Sequence, residues 1–504
     1  MKQTASIVLS LLTLLFLPSV FAKGEIPRDI DQRIRSLMNQ YNIPGLAVAV
    51  VRGDEVLLSK GYGYRDKENK LPVNEETQFS IGSLSKSFTG LVALLTSQAG
   101  SVDLDEPIFR QWPEFKISGN TATKNATLID LLSHRTGQGR HDLMWLGSRS
   151  SAGTIFGRLS FLEANLRFRQ KYQYNNLMYM AAGEVLGELS ELGWHDSLRL
   201  KILQPLKMLR SNTSTTEFQT NFAYPYWYSG GRLVKRKIRV TDNMGPAASV
   251  NSTAKDMVHW LRFALSNRSP DGKRILNEEH WKLWRKPQVR TSQGLNTSHY
   301  ALGWRVGSYG GELLWRHGGS IGSYLSNMML LPESEIGIIV MQNTDHKAIT
   351  STVSYLIADA LLEKENVYNE HTDFSSEYEG EQFSSLRTFA RSKKGGEVSQ
   401  EKSTEKNTEK NSEQNSARNF VGQFFNPGYG HMEVKMVGAT KFVYYNDWRS
   451  PIYDSGSGRL SSNASYFSWG RYVSDASGEV TRIDLPLDAR TAPIRFQRVN
   501  KITP

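Results

Sequence analysis

Ser83 and Lys86 stand three residues apart in the stretch Phe79-Ser80-Ile81-Gly82-Ser83-Leu84-Ser85-Lys86. At the entry to a helix, this spacing sets a hydroxyl and an amine one turn apart on one face. Leu91, Val92, Leu94 and Leu95 continue that helix with an apolar pattern. Burial at such a place lowers a lysine's pKa, and a neutral amine can take the proton of the hydroxyl beside it. Alone, the spacing is common and reads as a polar helix start with a snorkelling lysine. Its company carries the argument.

Tyr174-Asn175-Asn176 follows 91 residues after the serine, ahead of an apolar helical run. A phenol serves as general base or acid if nearby cations hold its pKa down. Asn176 offers a carbonyl and an amide to a peptide-like group. His317-Gly318-Gly319-Ser320 comes 143 residues later, at the end of a strand-like run. The glycines let a ligand's backbone approach an edge strand closely. The N–H groups of Ser320 and Ser83 would then be a pair of oxyanion donors, each worth several kcal/mol of barrier.

In this order the three segments resemble the serine β-lactamase and penicillin-binding-protein superfamily, specifically its class C β-lactamase-like branch. The matching signatures are Ser-x-x-Lys (Ser83, Lys86), Tyr-x-Asn (Tyr174, Asn176) and a Lys/His-x-Gly strand (His317, Gly319). Leu131-Leu132-Ser133-His134 before a glycine loop, and Gly245-Pro246-Ala247, also look familial. The resemblance covers roughly residues 26–363. It implies that Ser83 attacks a carbonyl and forms an acyl-enzyme, which water then releases. Lys86 and Tyr174 would share the proton traffic, with the choice of base left open. Asn176 would orient the substrate amide, and His317 would border the pocket near the substrate's carboxylate or leaving group. No cofactor and no metal are required.

One departure bears on the substrate. Relatives that hydrolyse penicillins usually carry a lysine and a hydroxyl residue where this chain has His317 and Gly318. A histidine mostly neutral at pH 7 holds a carboxylate less strongly than a lysine. The resemblance therefore points away from penicillin hydrolysis and towards amides or esters, D-amino-acid peptides among them, in D-aminopeptidase-like or esterase chemistry. β-Lactamase activity and a non-catalytic muropeptide-binding role are the rival readings. Gly318-x-Ser320-x-Gly322 has the form of a nucleophile elbow, but a helix must follow that motif. Here an apolar strand-like run follows. His134 and His141 lack a metal-ligand arrangement and read as loop histidines.

The elements that must position these residues form an α+β chain. A β-lactamase/transpeptidase-like domain, an antiparallel sheet flanked by helices, is expected over residues 23–365. Its first hairpin starts at Gly45-Leu46-Ala47-Val48-Ala49-Val50-Val51 and precedes the Ser83 helix. The middle is mostly helical, and strands return from Ala301. Residues 351–362 read as an amphipathic helix with Val353, Leu356, Ile357, Ala360 and Leu361 buried. Sheet segments at both ends with helices between give this architecture.

Residues 366–418 read as a flexible linker. Their Glu-Lys-Ser-Thr-like repeat over 401–412 cannot bury enough surface to offset its ordering entropy. Residues 419–504 are β-rich, with Met432, Val434 and Met436 alternating with charges, and read as a small antiparallel barrel. This tail resembles the lipocalin-like domain found on some of these hydrolases.

Residues 1–22 carry Lys2, an apolar run and a Val20-Phe21-Ala22 ending, the pattern of a cleaved signal peptide. The expected location is secreted or periplasmic, with no transmembrane segment in the mature chain. The sequence has no cysteine, which excludes disulfides and thiol catalysis. Net charge is +11, or +10 once Lys2 is removed with the signal. That balance favours contact with anionic envelope polymers. No basic stripe interleaved with aromatics marks nucleic-acid binding. The expected partner is a small-molecule or short-peptide substrate.

Overall fold

Strand β1 (Gly45–Arg52) is buried along its length up to Arg52. Leu46, Val48 and Val50 feed one apolar core, and Ala47, Ala49 and Val51 feed another on the opposite face. A strand covered on both faces reads as a continuous apolar run, not as an alternation. The computed structural model describes residues 24–229, 231–291, 297–345, 349–364, 419–462, 469–488 and 490–499. The expected signal peptide and linker lie outside the described residues. Among the described residues no helix is long and apolar enough to cross a membrane.

β1, β2 (Glu55–Asp66) and β3 (Leu71–Pro72) join six later strands in one antiparallel sheet. These are β4 (Val289–Arg290), β5 (Thr297–Tyr300), β6 (Arg305–Tyr309), β7 (Glu312–Ile321), β8 (Tyr324–Leu331) and β9 (Ile336–Gln342). The spatial order is β3-β2-β1-β9-β8-β7-β6-β5-β4. β1 pairs with β9, Leu46 opposite Gln342 and Arg52 opposite Ile336, so the sheet joins both ends of its segment.

Helices α1 (Ile30–Gln40) and α5 (Ile349–Leu361) cover one face through Ile30, Ile34, Met38, Val353 and Ile357. Leu356 and Ala360 on α5 are only partly buried. Helices α2 (Ser85–Gln98), α3 (Asn176–Glu188) and α4 (Ala254–Ser266) lie in the core on the other face. α2 is buried continuously from Ser85 to Leu94. It is a central helix, and its polar first turn is enclosed with the rest.

The C-terminal segment closes into an eight-stranded antiparallel barrel. Its strands are β10 (Gly422–Asn426), β11 (Gly430–Val437), β12 (Thr440–Tyr445), β13 (Trp448–Gly456), β14 (Arg459–Ser462), β15 (Trp469–Ser474), β16 (Val480–Leu485) and β17 (Ile494–Val499). Phe424, Met432, Val434, Ile483 and Phe496 fill it. Met436 breaks the expected alternation: it is 46% exposed, one residue from the end of its strand.

Candidate active site

Ser83 sits in a single 3-10 turn (Gly82–Leu84) that runs straight into α2. Gly82 turns the chain at φ 54°, and a Cβ there would lie 2.7 Å from the backbone N of Ser320. A Cβ on Gly319 would run into the Ile81 carbonyl oxygen. Glycine at both positions is therefore what lets β7 lie against the turn that carries Ser83. Ser326, opposite Gly319 on β8, fastens the contact by donating to the Ile81 carbonyl at 2.8 Å.

Lys86 follows one turn later, with no exposed surface. Its Nζ lies 3.1 Å from Ser83 Oγ, 2.8 Å from Asn176 Oδ1 and 2.9 Å from the Ala247 carbonyl. Thr89 donates to the Pro246 carbonyl at 2.7 Å and so holds the Gly245-Pro246-Ala247 stretch against α2. Burial pushes the Lys86 pKa well below its ordinary 10.5; the Arg140 charge adds to this and Asp142 opposes it. Two of the three partners are oxygens that can only accept. A neutral amine gives its two N–H groups to those and keeps its lone pair for the Ser83 hydroxyl.

Tyr174 donates its phenol to Ser83 Oγ at 2.8 Å. It immediately precedes α3, whose N-cap, Asn175, accepts from Met178 N–H at 3.2 Å. Asn175 also anchors the segment backwards, donating its amide to Gly139 O at 2.7 Å and its backbone N–H to His134 Nδ1 at 3.1 Å. Burial raises the Tyr174 pKa strongly; the Ser83 hydrogen bond and the Arg140 and Arg305 charges oppose this without overcoming it. The phenol gives its hydrogen bond to Ser83 Oγ, and burial holds its pKa up where nearby cations alone would lower it.

Asn176 is held at both ends of its amide. Its Oδ1 takes Lys86, and its Nδ2 donates to Asp142 Oδ1 at 3.0 Å. Asp142 Oδ2 in turn accepts from Arg140 Nε at 2.8 Å, and the Arg140 guanidinium lies 5.4 Å from the centre of the Tyr174 ring. Arg140 and Asp142 went unrecognised in the sequence. Their signal was weak: two charges flanking a histidine in a glycine-rich loop.

His317 is on β7 beside this group, its ring 6.2 Å from that of Tyr174. The side chain is wholly buried. Its Nδ1 lies 2.6 Å from the Gly318 carbonyl, so Nδ1 carries the proton, and Nε2 accepts from the Tyr300 phenol at 3.0 Å. Burial first, then the Arg305 charge, drives its pKa well below 6.5. The expected place at the pocket border is thus taken by an enclosed, uncharged imidazole engaged with its own strand and Tyr300. Ser320 is also buried, one residue past Gly319 on the strand that abuts Gly82.

The two loop histidines are structural posts. His134 packs among Tyr174, Tyr179 and Tyr300, with ring centres 4.4, 5.1 and 4.7 Å away. His141 joins the two folds. Its N–H donates to Asp488 Oδ2 at 2.8 Å, its Nδ1 lies 2.9 Å from Tyr429 OH and its Nε2 lies 2.9 Å from Glu163 O. Asn446 adds a hydrogen bond from the barrel to the Leu143 carbonyl at 3.0 Å.

A family model described as Beta-lactamase matches residues 30–362. Among curated proteins, the unguisins hydrolase of Aspergillus campestris is 28% identical over 353 residues, covering 66% of this chain and 65% of that protein. The chain spans 65% of the length of the curated relatives it matches. Among solved structures, the octameric penicillin-binding protein homologue from Pyrococcus abyssi superposes with a TM-score of 0.61 at 19% identity, over 93% of this chain and 99% of that one. The D-amino acid amidase from Ochrobactrum anthropi SV3 superposes with a TM-score of 0.56 at 24% identity, over 66% and 98%. Both structural likenesses are of fold.

Proposed function

The chain belongs to the beta-lactamase family, and on that premise we propose that it is a serine hydrolase working through an acyl-enzyme on Ser83. The observation that carries this reading is the Ser83 hydroxyl lying between the Lys86 amine at 3.1 Å and the Tyr174 phenol at 2.8 Å. With its charged form disfavoured by burial, Lys86 is the general base in this reading, and Tyr174 is the proton donor. Ser83 Oγ attacks the scissile carbonyl while its proton passes to Lys86 Nζ. The oxyanion forms against the N–H groups of Ser83 and Ser320. Collapse expels an alcohol or amine, which takes a proton from the Tyr174 phenol, and Lys86 restores the phenol. Water then attacks the ester at Ser83 by the same route reversed, releasing an acid.

The substrate is an amide or ester, with D-amino-acid peptides or esters related to cell-wall material the preferred class. A relative named as a hydrolase of unguisins supports hydrolysis, and a fold neighbour named as a D-amino acid amidase supports amide chemistry. His317, enclosed and with its charged form disfavoured by burial, is a poor cation for a β-lactam carboxylate, so nitrocefin ranks below these substrates. The reading includes export after loss of residues 1–22 and a lipocalin-like barrel as accessory domain.

A fluorophosphonate probe followed by mass spectrometry tests the core of this. Wild type should carry one adduct on Ser83, and Ser83→Ala none. Absence of an adduct on wild type, or an equal adduct on Ser83→Ala, would overturn it. Paired D- and L-aminoacyl p-nitroanilides then test the stereochemistry.

A further inference from the structure

We propose that the outward face of the hairpin at residues 226–235, with the basic stretch that follows it, docks the protein onto an anionic phospholipid surface. The face is separate from the Ser83 site, and the proposal does not depend on the acyl-enzyme reading.

The hairpin pairs Tyr226–Ser229 with Arg232–Lys235 and joins no other sheet. A lone two-stranded hairpin is marginal in water, so its inward face has to be tied down. Tyr226 is buried; its N–H donates to the Asn343 carbonyl at 2.8 Å, and its phenol oxygen accepts the Lys67 N–H at 2.7 Å. Lys235, opposite Tyr226, reaches Asp66 at 2.7 Å. Side chains alternate along each strand, so Trp227, Ser229, Arg232 and Val234 face outward. Trp227 and Val234 stand directly opposite each other, and each is 42% exposed. The Arg236 guanidinium lies over the Trp227 ring, 4.5 Å from its centre.

The charge of this stretch has one sign. Residues 218–241 contain no Asp or Glu, and they carry Arg232, Lys235, Arg236, Lys237 and Arg239. Two of these are paired, Lys235 with Asp66 and Arg239 with Asp447 of the barrel at 3.5 Å. Arg232, Arg236 and Lys237 are exposed and form no ion pair among the described residues. An indole and a branched aliphatic side chain set among three unpaired cations match both parts of an anionic bilayer surface. The ring settles at headgroup level, and the long basic side chains reach the phosphates. A soluble polyanion would engage the cations alone and leave Trp227 and Val234 facing water.

The test uses the full chain and sedimentation with vesicles of phosphatidylglycerol or of phosphatidylcholine. Wild type should bind the anionic vesicles roughly a hundredfold more tightly than the neutral ones, the scale of three cations at such a surface. Arg232→Gln with Lys237→Gln should weaken that binding by roughly twentyfold. Trp227→Ser should weaken it by roughly tenfold, and Trp227→Phe, which keeps a ring, should retain most of it. Lys116→Gln with Lys124→Gln removes two exposed cations elsewhere and should leave binding unchanged. An unchanged melting temperature shows that each variant keeps its fold. Absence of binding to phosphatidylglycerol, equal binding to phosphatidylcholine, or equal losses in the hairpin and control pairs would overturn the proposal. Binding that falls with the two cations but survives Trp227→Ser would also overturn it, by reassigning the face to an anionic polymer.

Discussion

At the residue scale, the protonation of Lys86 governs the site. The folded chain disfavours its charged form through burial first and the Arg140 charge second. Above the depressed folded value the amine is neutral and ready; as pH falls through that value it charges and its lone pair is lost. Hydrolysis should therefore decline on the acid side with a single protonation. No decline from Tyr174 should follow on the alkaline side, because burial has raised its phenol. Stability follows the same sign. Between the folded value and 10.5 the unfolded chain binds a proton that the folded one does not, so stability rises with pH across that window. Arg140→Gln removes one depressing charge and leaves Asp142 unopposed. The acid limb of kcat/KM for a p-nitrophenyl ester should then move to higher pH. A limb that stays in place would show that another group sets it.

At the element scale, the segment that supports Tyr174 depends on one buried carboxylate. Asp130 closes a capping box with Thr127 on the short helix Leu128–Leu132. It also accepts from Arg169 Nε at 2.8 Å and Nη2 at 2.6 Å, and from Arg135. The helix leads directly to His134, which holds Asn175. Removing a buried partner leaves charges uncompensated, and Arg169 is part exposed, so Asp130→Ala should cost about 3 kcal/mol, the low end for such pairs. Urea unfolding measures this, and a loss below about 1 kcal/mol would mean the arginines are already well solvated.

Asp130 also marks where sequence reading stops. Ser83 and Lys86 were legible because helical spacing alone fixes their proximity. β1 and β9 were legible because burial on both faces leaves an unbroken apolar run. Tyr174 and His317, far along the chain, could be placed beside Ser83 only through family resemblance. Asp142, Arg140 and Asp488 are ordinary loop charges whose meaning comes from partners 34 to 347 residues away in sequence. No periodicity encodes such pairings. The inward turn of His317 was equally hidden, since it depends on the Tyr300 phenol and the backbone of Gly318.

At the scale of the whole molecule, the question is whether barrel and hydrolase fold form one cooperative body. Leu143, Trp145 and Leu162 belong to the same continuous apolar cluster as Tyr429, Met432 and Trp448. Polar contacts reinforce it at the loop that carries Asp142: Tyr429 to His141, and Asn446 to the Leu143 carbonyl. Because His141 Nε2 faces a carbonyl, it donates, and Nδ1 must accept from the Tyr429 phenol. Tyr429→Phe therefore strands a buried acceptor at about 1–3 kcal/mol, and Asn446→Ala removes a further bond of about 1 kcal/mol. Wild type should melt in one calorimetric transition. The double variant should melt in two, with kcat falling along the first, because an undocked barrel no longer braces the loop in which Asp142 holds Asn176 against Lys86. Two transitions in wild type, or a double variant with one transition and unaltered kcat, would mean that the barrel rides on the hydrolase without shaping it.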